Sequence, residues 1–275
     1  MFEAIFKYEF LQNAFLAALL SSIVCGIIGT IIVEKKLVMM SGGIAHTAFG
    51  GIGMGYFLGI EPIFGALLFA GGASVAISTI KRKTNTNADT FIGILWAMGM
   101  ASGILFIAFT KGYPPDMTSY LFGDILTVTR SDVYMMMFLV LFVLVSVIVF
   151  FNYWKSFLFD EEFTFVIGMK NLFFEYFIML LISITIVVLI RVVGIILVIA
   201  LLTTPPAIAK LFSKNLKWLM IISSVLGIGF CFFGLYLSYS FNIPSGATII
   251  MTSGTVYVLS ILIYKMRSRR IRKTV

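Results

Sequence analysis

The sequence has few of the residues that soluble proteins place on their surfaces. Only 12% of its 275 residues are charged, 60% are hydrophobic, and the mean hydropathy is +1.08. A soluble globular domain has about 25% charged residues, so water is not the main solvent of this chain. The composition therefore excludes a soluble fold and predicts an all-α integral membrane protein.

Cysteine and histidine are also scarce, which restricts the redox and metal sites that the chain can form. Cys25 and Cys231 lie in separate apolar stretches and do not form a C-x-x-C motif. We therefore expect packing residues rather than a redox centre or a zinc finger. A membrane-embedded metalloenzyme would need more ligands than His46, the one histidine, supplies.

Two further absences concern the energy source. No Asp or Glu is predicted near the middle of a spanning stretch, although a proton- or sodium-coupled carrier normally needs such a carboxylate. No G-x-x-x-x-G-K-[ST] phosphate loop occurs, so we expect no ATP binding of that kind. We therefore expect a chain that is not itself an enzyme, has no covalently bound cofactor and depends on a separate ATPase for any energy it uses.

Apolar stretches of membrane-spanning length recur along the chain. They predict about eight to nine helices, and we expect residues 1–275 to form a single transmembrane domain. The stretches are 11–33, 38–60, 62–80, 91–110, 133–152, 172–190, 194–212, 218–240 and 246–264. Pro205 and Pro206 predict a kink in one of these helices, or its division into two half-elements.

The net charge of +8 comes mostly from Lys and Arg in short segments between the apolar stretches. This pattern indicates membrane topology and contact with lipid rather than binding of nucleic acid. We expect the N-terminus outside and the C-terminus in the cytoplasm, because nine spans in that orientation leave few basic residues outside. Those residues are Lys7, Lys111, Arg130 and Arg191.

A cytoplasmic segment at about 160–168 has the pattern of a short amphipathic helix. Asp160 and Glu161 open the segment, Phe163 lies on its apolar face, and Gly168 closes it. Acidic residues in a first turn and a glycine after the last turn are typical helix boundaries. An apolar face without a core of its own predicts docking into a partner's groove, and the alternative is a helix resting on lipid headgroups.

His46 lies about eight residues into its predicted helix, near the middle of the membrane, where ionisable side chains are usually functional. A neutral imidazole is a common ligand for zinc and similar metals, and the alternative role is a hydrogen bond to a neighbouring helix. Gly42, Gly50 and Gly53 share the helical face of His46. Together with Gly43 they predict close helix packing, a narrow translocation path, or both.

Six stretches spread over almost the whole chain carry a family resemblance. In order, they are SGGIAHTAFGGIGMGYFLGI, NADTFIGILWAMGMASGILF, SYLFGDIL, FDEEFTFVIGM, RVVGIILVIALLTTPPAIAKLF and IPSGATI. They resemble the zinc and manganese permeases of ATP-binding-cassette importers. The resemblance implies a type II importer-like permease, multi-pass, in the plasma or inner membrane.

The resemblance also implies the partners of the chain. They are a second copy of itself, cytosolic ATPase subunits that dock at the 160–168 segment, and an extracellular or periplasmic metal-binding protein. Transport would be alternating access driven by ATP, with His46 in the path of the metal. The alternative function is a self-contained secondary metal carrier or channel.

One difference from the family concerns the choice of metal. Members commonly have an Asp four residues before this histidine, where the present chain has Gly42. His46, even doubled in a dimer, supplies only two nitrogen ligands. Such a site suits zinc better than manganese, which prefers oxygen ligands, so zinc is favoured over manganese or iron.

Overall fold

The computed structural model describes residues 8–83, 88–111, 117–123, 125–159, 164, 166 and 168–273. Within them the helices are α1 (Glu9–Glu34), α2 (Val38–Leu58), α3 (Pro62–Lys83), α4 (Ala88–Phe109), α5 (Met117–Phe122), α6 (Arg130–Val149), α7 (Phe151–Phe159), α8 (Asn171–Val193), α9 (Ile195–Phe212), α10 (Leu216–Phe241) and α11 (Ser245–Lys273). A 3-10 turn covers Ile125–Thr127. No strand occurs among the described residues, which confirms the all-α prediction.

The nine apolar stretches correspond one to one with the nine long helices of the described chain. Eight of these helices are long and apolar enough to cross a membrane, and α2 is the exception. α2 has 21 residues, but its six glycines and His46 lower its hydropathy. The prediction of about eight to nine spanning helices is confirmed.

One end of the helix bundle, here called the Arg191 end, contains the ion pairs of Arg191 with Glu61 and Asp132. The start of α1 lies at the same end, because Arg130 Nη2 donates to Glu9 Oε1 at 2.9 Å. The ends of α2 and α8 and the starts of α3 and α6 therefore meet here. The first described helix begins at this end.

The opposite end, here called the Lys210 end, contains the end of α1 and the end of α9. Lys210 Nζ lies 3.1 Å from Glu34 Oε1, and Lys35 Nζ lies 3.7 Å above the centre of the Phe157 ring in α7. Successive long helices run alternately between the two ends, so α11 ends at the Lys210 end. The first and the last described helix thus have their outer termini at opposite ends of the bundle.

The chain turns between α8 and α9 at Gly194, whose φ of +80° is a conformation that favours glycine. α9 then continues without interruption through Pro205 and Pro206, so the alternative of two half-elements at these prolines is wrong. Proline at 206 removes the usual N–H donor to the Leu202 carbonyl. That carbonyl faces Gly29 of α1, where the missing side chain allows close approach. A neighbouring helix therefore accommodates the prolines.

Three of the stretches that carry the family resemblance meet at the Arg191 end. Gly123, in SYLFGDIL, has a φ of +70° and touches the backbone of Gly194, in RVVGIIL. A Cβ on Gly246, in IPSGATI, would lie 2.5 Å from the Phe122 carbonyl oxygen. Glycine is required at these positions because three backbone segments are in direct contact.

Candidate functional site

His46 lies inside α2 and is only 9% exposed. Its Nδ1 atom is 2.9 Å from the carbonyl oxygen of Gly42, one helical turn earlier. A carbonyl oxygen only accepts hydrogen bonds, so Nδ1 carries the proton and the neutral imidazole has its lone pair on Nε2. Metal-ligating histidines typically donate their other ring N–H in this way. The geometry therefore presents Nε2 as the nitrogen available to a metal ion.

Trp96 of α4 covers one face of the His46 ring. The two ring centres are 3.8 Å apart and their planes are inclined by 20°, which is a stacked arrangement. Thr47, the residue after His46, donates to the Leu95 carbonyl of α4 at 3.3 Å. α4 thus holds this part of α2 through both an aromatic and a polar contact.

The four glycines singled out in α2 all lie against α4. A Cβ added at any of them would come within 3.0 Å of an α4 atom. Those close contacts are Trp96 for Gly42, Ile92 for Gly43, Gly99 and Ser102 for Gly50, and Gly103 for Gly53. The glycines allow close packing of α2 on α4, and their part in a translocation path stays a prediction.

The opposite side of α2 approaches α3 in the same manner. A Cβ on Gly51 would overlap the Gly65 carbonyl, and one on Gly55 would lie 2.7 Å from Pro62 Cα. α2 is therefore enclosed between α3 and α4, and its whole middle section is buried. A glycine-rich helix of this kind brings His46 into the interior, with Gly42, Gly43 and Gly50 about one turn away on the same helix.

The described residues contain no group of three or more His, Cys, Asp or Glu side chains that could hold a metal ion. One copy of the chain thus offers a single imidazole nitrogen at this position. The remaining ligands of a transported ion would be water, backbone oxygen or groups of a second copy.

A charged cluster that was not predicted lies at the Arg191 end. Arg191 Nε donates to Asp132 Oδ1 at 2.8 Å, and Arg191 Nη1 donates to Glu61 Oε1. Asp132 also forms a capping box with Thr129 at the start of α6. The cluster ties the end of α8 to the start of α6 and to the connection between α2 and α3.

Next to this cluster, Tyr56 of α2 and Tyr120 of α5 share a hydrogen bond of 2.9 Å between their hydroxyl groups. Burial, and then the bond to Tyr56, raises the pKa of the Tyr120 phenol above its usual range. The Tyr120 phenol is therefore neutral at physiological pH. Its contact joins α5 to the end of α2.

The segment predicted to couple to an ATPase is only partly described. Asp160, Glu161 and Phe163 lie outside the described residues. Gly168 has a φ of +75°, and among the described residues no atom beyond its chain neighbours lies within 4 Å of a Cβ added there. Val166 is exposed. The role of this segment stays a prediction.

The helix that precedes this segment is anchored by aromatic packing at the Lys210 end. Trp154 of α7 is fully buried and stacks on Phe177 of α8, with ring centres 5.8 Å apart. Its indole N–H donates to the Ser146 carbonyl of α6 at 3.3 Å. α7 is therefore fixed to two long helices immediately before residue 160.

Sequence reasoning missed Trp96 and the Arg191 cluster for different reasons. Trp96 is one aromatic residue among many in an apolar stretch, and nothing in the pattern of α4 points to His46. The cluster could have been predicted, because Arg191, Glu61 and Asp132 are charged residues near the ends of apolar stretches, and these ends were predicted to lie on the same side of the membrane. Pairing such charges across the bundle would have predicted it.

Long apolar helices packed around a buried, glycine-rich helix define the chain as a multi-pass membrane protein. Residues 7–264 match the ABC 3 transport family, and the chain belongs to that family. The family resemblance of the six stretches is thereby confirmed.

Several proteins of known sequence are similar to this chain over nearly their whole length. The chain is 42% identical to an uncharacterized membrane protein of Synechocystis, over 93% of this chain and 91% of that protein. It is 34% identical to the manganese import system permease protein ScaB of Streptococcus gordonii, over 95% and 94%. It is 32% identical to the manganese transport system membrane protein MntC of Listeria monocytogenes, over 94% and 92%.

Solved structures have the same fold. PsaBC from Streptococcus pneumoniae, in complex with Fab, matches with a TM-score of 0.86 at 32% identity, over 94% of this chain and 93% of that chain. An inward-facing ABC transporter of the metal-chelate type matches with a TM-score of 0.75 at 12% identity, which shows a likeness of fold alone. Both comparisons agree with the permease fold.

Proposed function

We propose that the chain is the permease subunit of an ATP-driven importer of divalent transition metal ions, with His46 in the path of the metal. The observation that carries this proposal is the buried imidazole of His46, whose Nδ1–H is held by the Gly42 carbonyl. This contact leaves Nε2 as a neutral nitrogen ligand inside the bundle. The cargo class is supported by the names of ScaB and MntC, which refer to manganese import or transport.

The donor set near His46 favours zinc as the cargo. Imidazole nitrogen combined with water or backbone oxygen suits Zn²⁺, whereas Mn²⁺ prefers carboxylate and other oxygen ligands. Gly42 supplies no carboxylate one turn before His46. Manganese is the second candidate, because the named relatives are manganese proteins and their names give no support to a zinc preference.

A homodimer is supported by the outward face of α4. Gly93, Ala97 and Ala101 are exposed and spaced four residues apart, which is the small-xxx-small pattern of close helix–helix contacts in membranes. α4 also carries Trp96, which contacts His46. Association through this face would place the His46 sites of two copies on either side of the interface.

The remaining proposals concern orientation and partners. The Lys210 end has the larger share of Lys and Arg, so we place it in the cytoplasm and the Arg191 end outside. ATPase subunits would dock at the 160–168 segment through Asp160, Glu161, Phe163 and Gly168. An external metal-binding protein would deliver the ion at the Arg191 end.

The test is metal uptake by lipid vesicles that contain the full chain, its ATPase and its external binding protein. We expect ATP-dependent accumulation, with zinc taken up in preference to manganese and iron. His46→Ala should lower uptake at least tenfold, on the order expected for loss of a metal contact. Ser41→Ala is the matched control, because Ser41 is buried on the same helix and its hydroxyl donates to the carbonyl of Val38, within the same helix.

The possible outcomes of this experiment test the proposals one by one. Manganese preference with ATP dependence would keep the permease function and overturn the choice of zinc. Normal uptake by His46→Ala would remove His46 from the metal path. Uptake that is independent of ATP would establish the alternative, a secondary carrier or channel.

A further inference from the structure

The space beside Gly42 is filled by the side chain of Trp96. A Cβ built on Gly42 would lie 3.0 Å from Cζ3 of the Trp96 indole, which is closer than an ordinary carbon–carbon contact of about 3.5 Å. A larger side chain at residue 42 therefore requires the indole to move. The indole of Trp96 can take its position because residue 42 has no side chain.

The same indole fixes the orientation of the His46 ring. It stacks on the imidazole at 3.8 Å, while the Nδ1 contact with the Gly42 carbonyl sets the rotation of the ring within its plane. The stacking contact acts perpendicular to the plane of the imidazole, and the Nδ1 contact acts within that plane. Together they fix the direction in which Nε2 points. Orientation of a histidine by its neighbours is a main determinant of metal affinity.

The indole also limits which ligands the site can offer. Its Nε1–H is only a donor, so Trp96 cannot bind a cation through a lone pair. Its ring lies within 4 Å of the Cβ position of residue 42, one turn before His46, so an oxygen-bearing side chain at residue 42 would press against the indole. A site built in this way has nitrogen from His46 and no carboxylate from its own helix.

We propose that Trp96 is a specificity-determining residue of the metal path. It holds the His46 imidazole in one orientation and packs against Gly42, so that a ligand side chain at residue 42 would have to displace the indole, and both effects favour zinc over manganese. This inference rests on the transport function proposed above. Trp96 acts through His46 and is therefore a positioning residue rather than a ligand.

The test compares zinc and manganese uptake in the vesicles described above for four variants of the full chain. We expect Trp96→Ala to lower the ratio of zinc to manganese uptake about tenfold, within the range observed for residues that orient metal ligands. Trp96→Phe retains an aromatic face and should keep most of the wild-type ratio. Gly42→Asp alone should impair uptake of both metals, because the carboxylate and the indole compete for the same space.

The fourth variant, Gly42→Asp combined with Trp96→Ala, should restore uptake and reverse the preference toward manganese. Such non-additivity is expected for two residues in direct contact and not for distant, independent ones. Trp218→Ala is the control for loss of a tryptophan, since Trp218 is exposed in the first turn of α10. Thermal unfolding of each variant separates a change of selectivity from a failure to fold.

A second readout does not depend on transport. Zinc added to the full chain in lipid nanodiscs should change the tryptophan fluorescence of the wild type, and Trp96→Phe should remove that change. The inference is wrong if Trp96→Ala keeps the wild-type uptake ratio, or if Gly42→Asp has the same effect with and without Trp96. If wild-type vesicles fail to take up any metal with ATP, the proposed function fails instead.

Discussion

At the scale of single residues, the described polar groups inside this apolar bundle are mostly paired, and the pairs join distant parts of the chain. Arg191 contacts Asp132, 59 positions away, and Glu61, 130 positions away. These contacts are made at the bundle end, where both acids and the guanidinium can be partly hydrated. Local sequence patterns do not contain this information, because the partners belong to different helices.

Asp132 should contribute more to stability than an exposed acid at the same end of the bundle. Its carboxylate accepts hydrogen bonds from Thr129 and from Arg191 and is largely shielded from water. We expect Asp132→Ala to lower the free energy of unfolding by about 2 kcal/mol, from the lost cap and the lost charged hydrogen bond. The measurement is thermal unfolding of the purified protein in detergent.

The control for Asp132 is Glu9→Ala. Glu9 also pairs with an arginine, Arg130, but both side chains are mainly exposed. Exposed ion pairs contribute little, so the unfolding temperature should change hardly at all. Equal shifts for the two variants would show that the Arg191 cluster has no special role in holding the helices together.

At the scale of helices, the positions of the long elements could be predicted from the sequence, whereas one interruption could not. Hydropathy is a local property, so each apolar stretch marked a helix within a few residues of its ends. The two prolines of α9 indicated a break that is absent, because α1 approaches α9 through Gly29 and accommodates them. The actual turn is at Gly194, where the left-handed backbone requires glycine.

The contact between α2 and α4 should be sensitive to a single methyl group. A Cβ on Gly53 would lie 2.5 Å from the Gly103 carbonyl oxygen and 2.8 Å from Gly103 Cα, both in the backbone of α4. We expect Gly53→Ala to separate the helices and lower the free energy of unfolding by about 1–3 kcal/mol, the usual cost of overpacking. Thermal unfolding in detergent measures the change.

Gly72→Ala in α3 is the matched control for this substitution. Gly72 also lies inside a long helix, but no atom of the described part of the chain, apart from its own helix backbone, is within 4 Å of its added Cβ. Because alanine is favoured over glycine in helices by up to about 1 kcal/mol, this variant should be neutral or more stable. Similar destabilisation by both substitutions would contradict the role assigned to close α2–α4 packing.

At the scale of the whole molecule, charge and topology are closely related. The positions of Lys and Arg predict which side of the membrane each connection occupies. The alternating course of the helices shows which connections share an end of the bundle, and which of the two ends is cytoplasmic stays a prediction. What the sequence could not provide is the neighbourhood of each helix. The pairing of α2 with α4, and thus the stacking of Trp96 on His46, follows from packing between segments about 50 residues apart.

The orientation of the whole bundle can be tested at the two ends of α10, which begins at the Lys210 end and finishes at the Arg191 end. The native thiols of Cys25 and Cys231 are buried and should give little background. We expect Ser240→Cys to react with a membrane-impermeant maleimide in intact cells, and Lys214→Cys to react only after the membrane is opened. Ser240 lies in the last turn of α10 and Lys214 lies just before its first residue. Both residues are exposed, so they form a matched pair. The reverse pattern of labelling would place the basic Lys210 end outside and would contradict the cytoplasmic docking of an ATPase there.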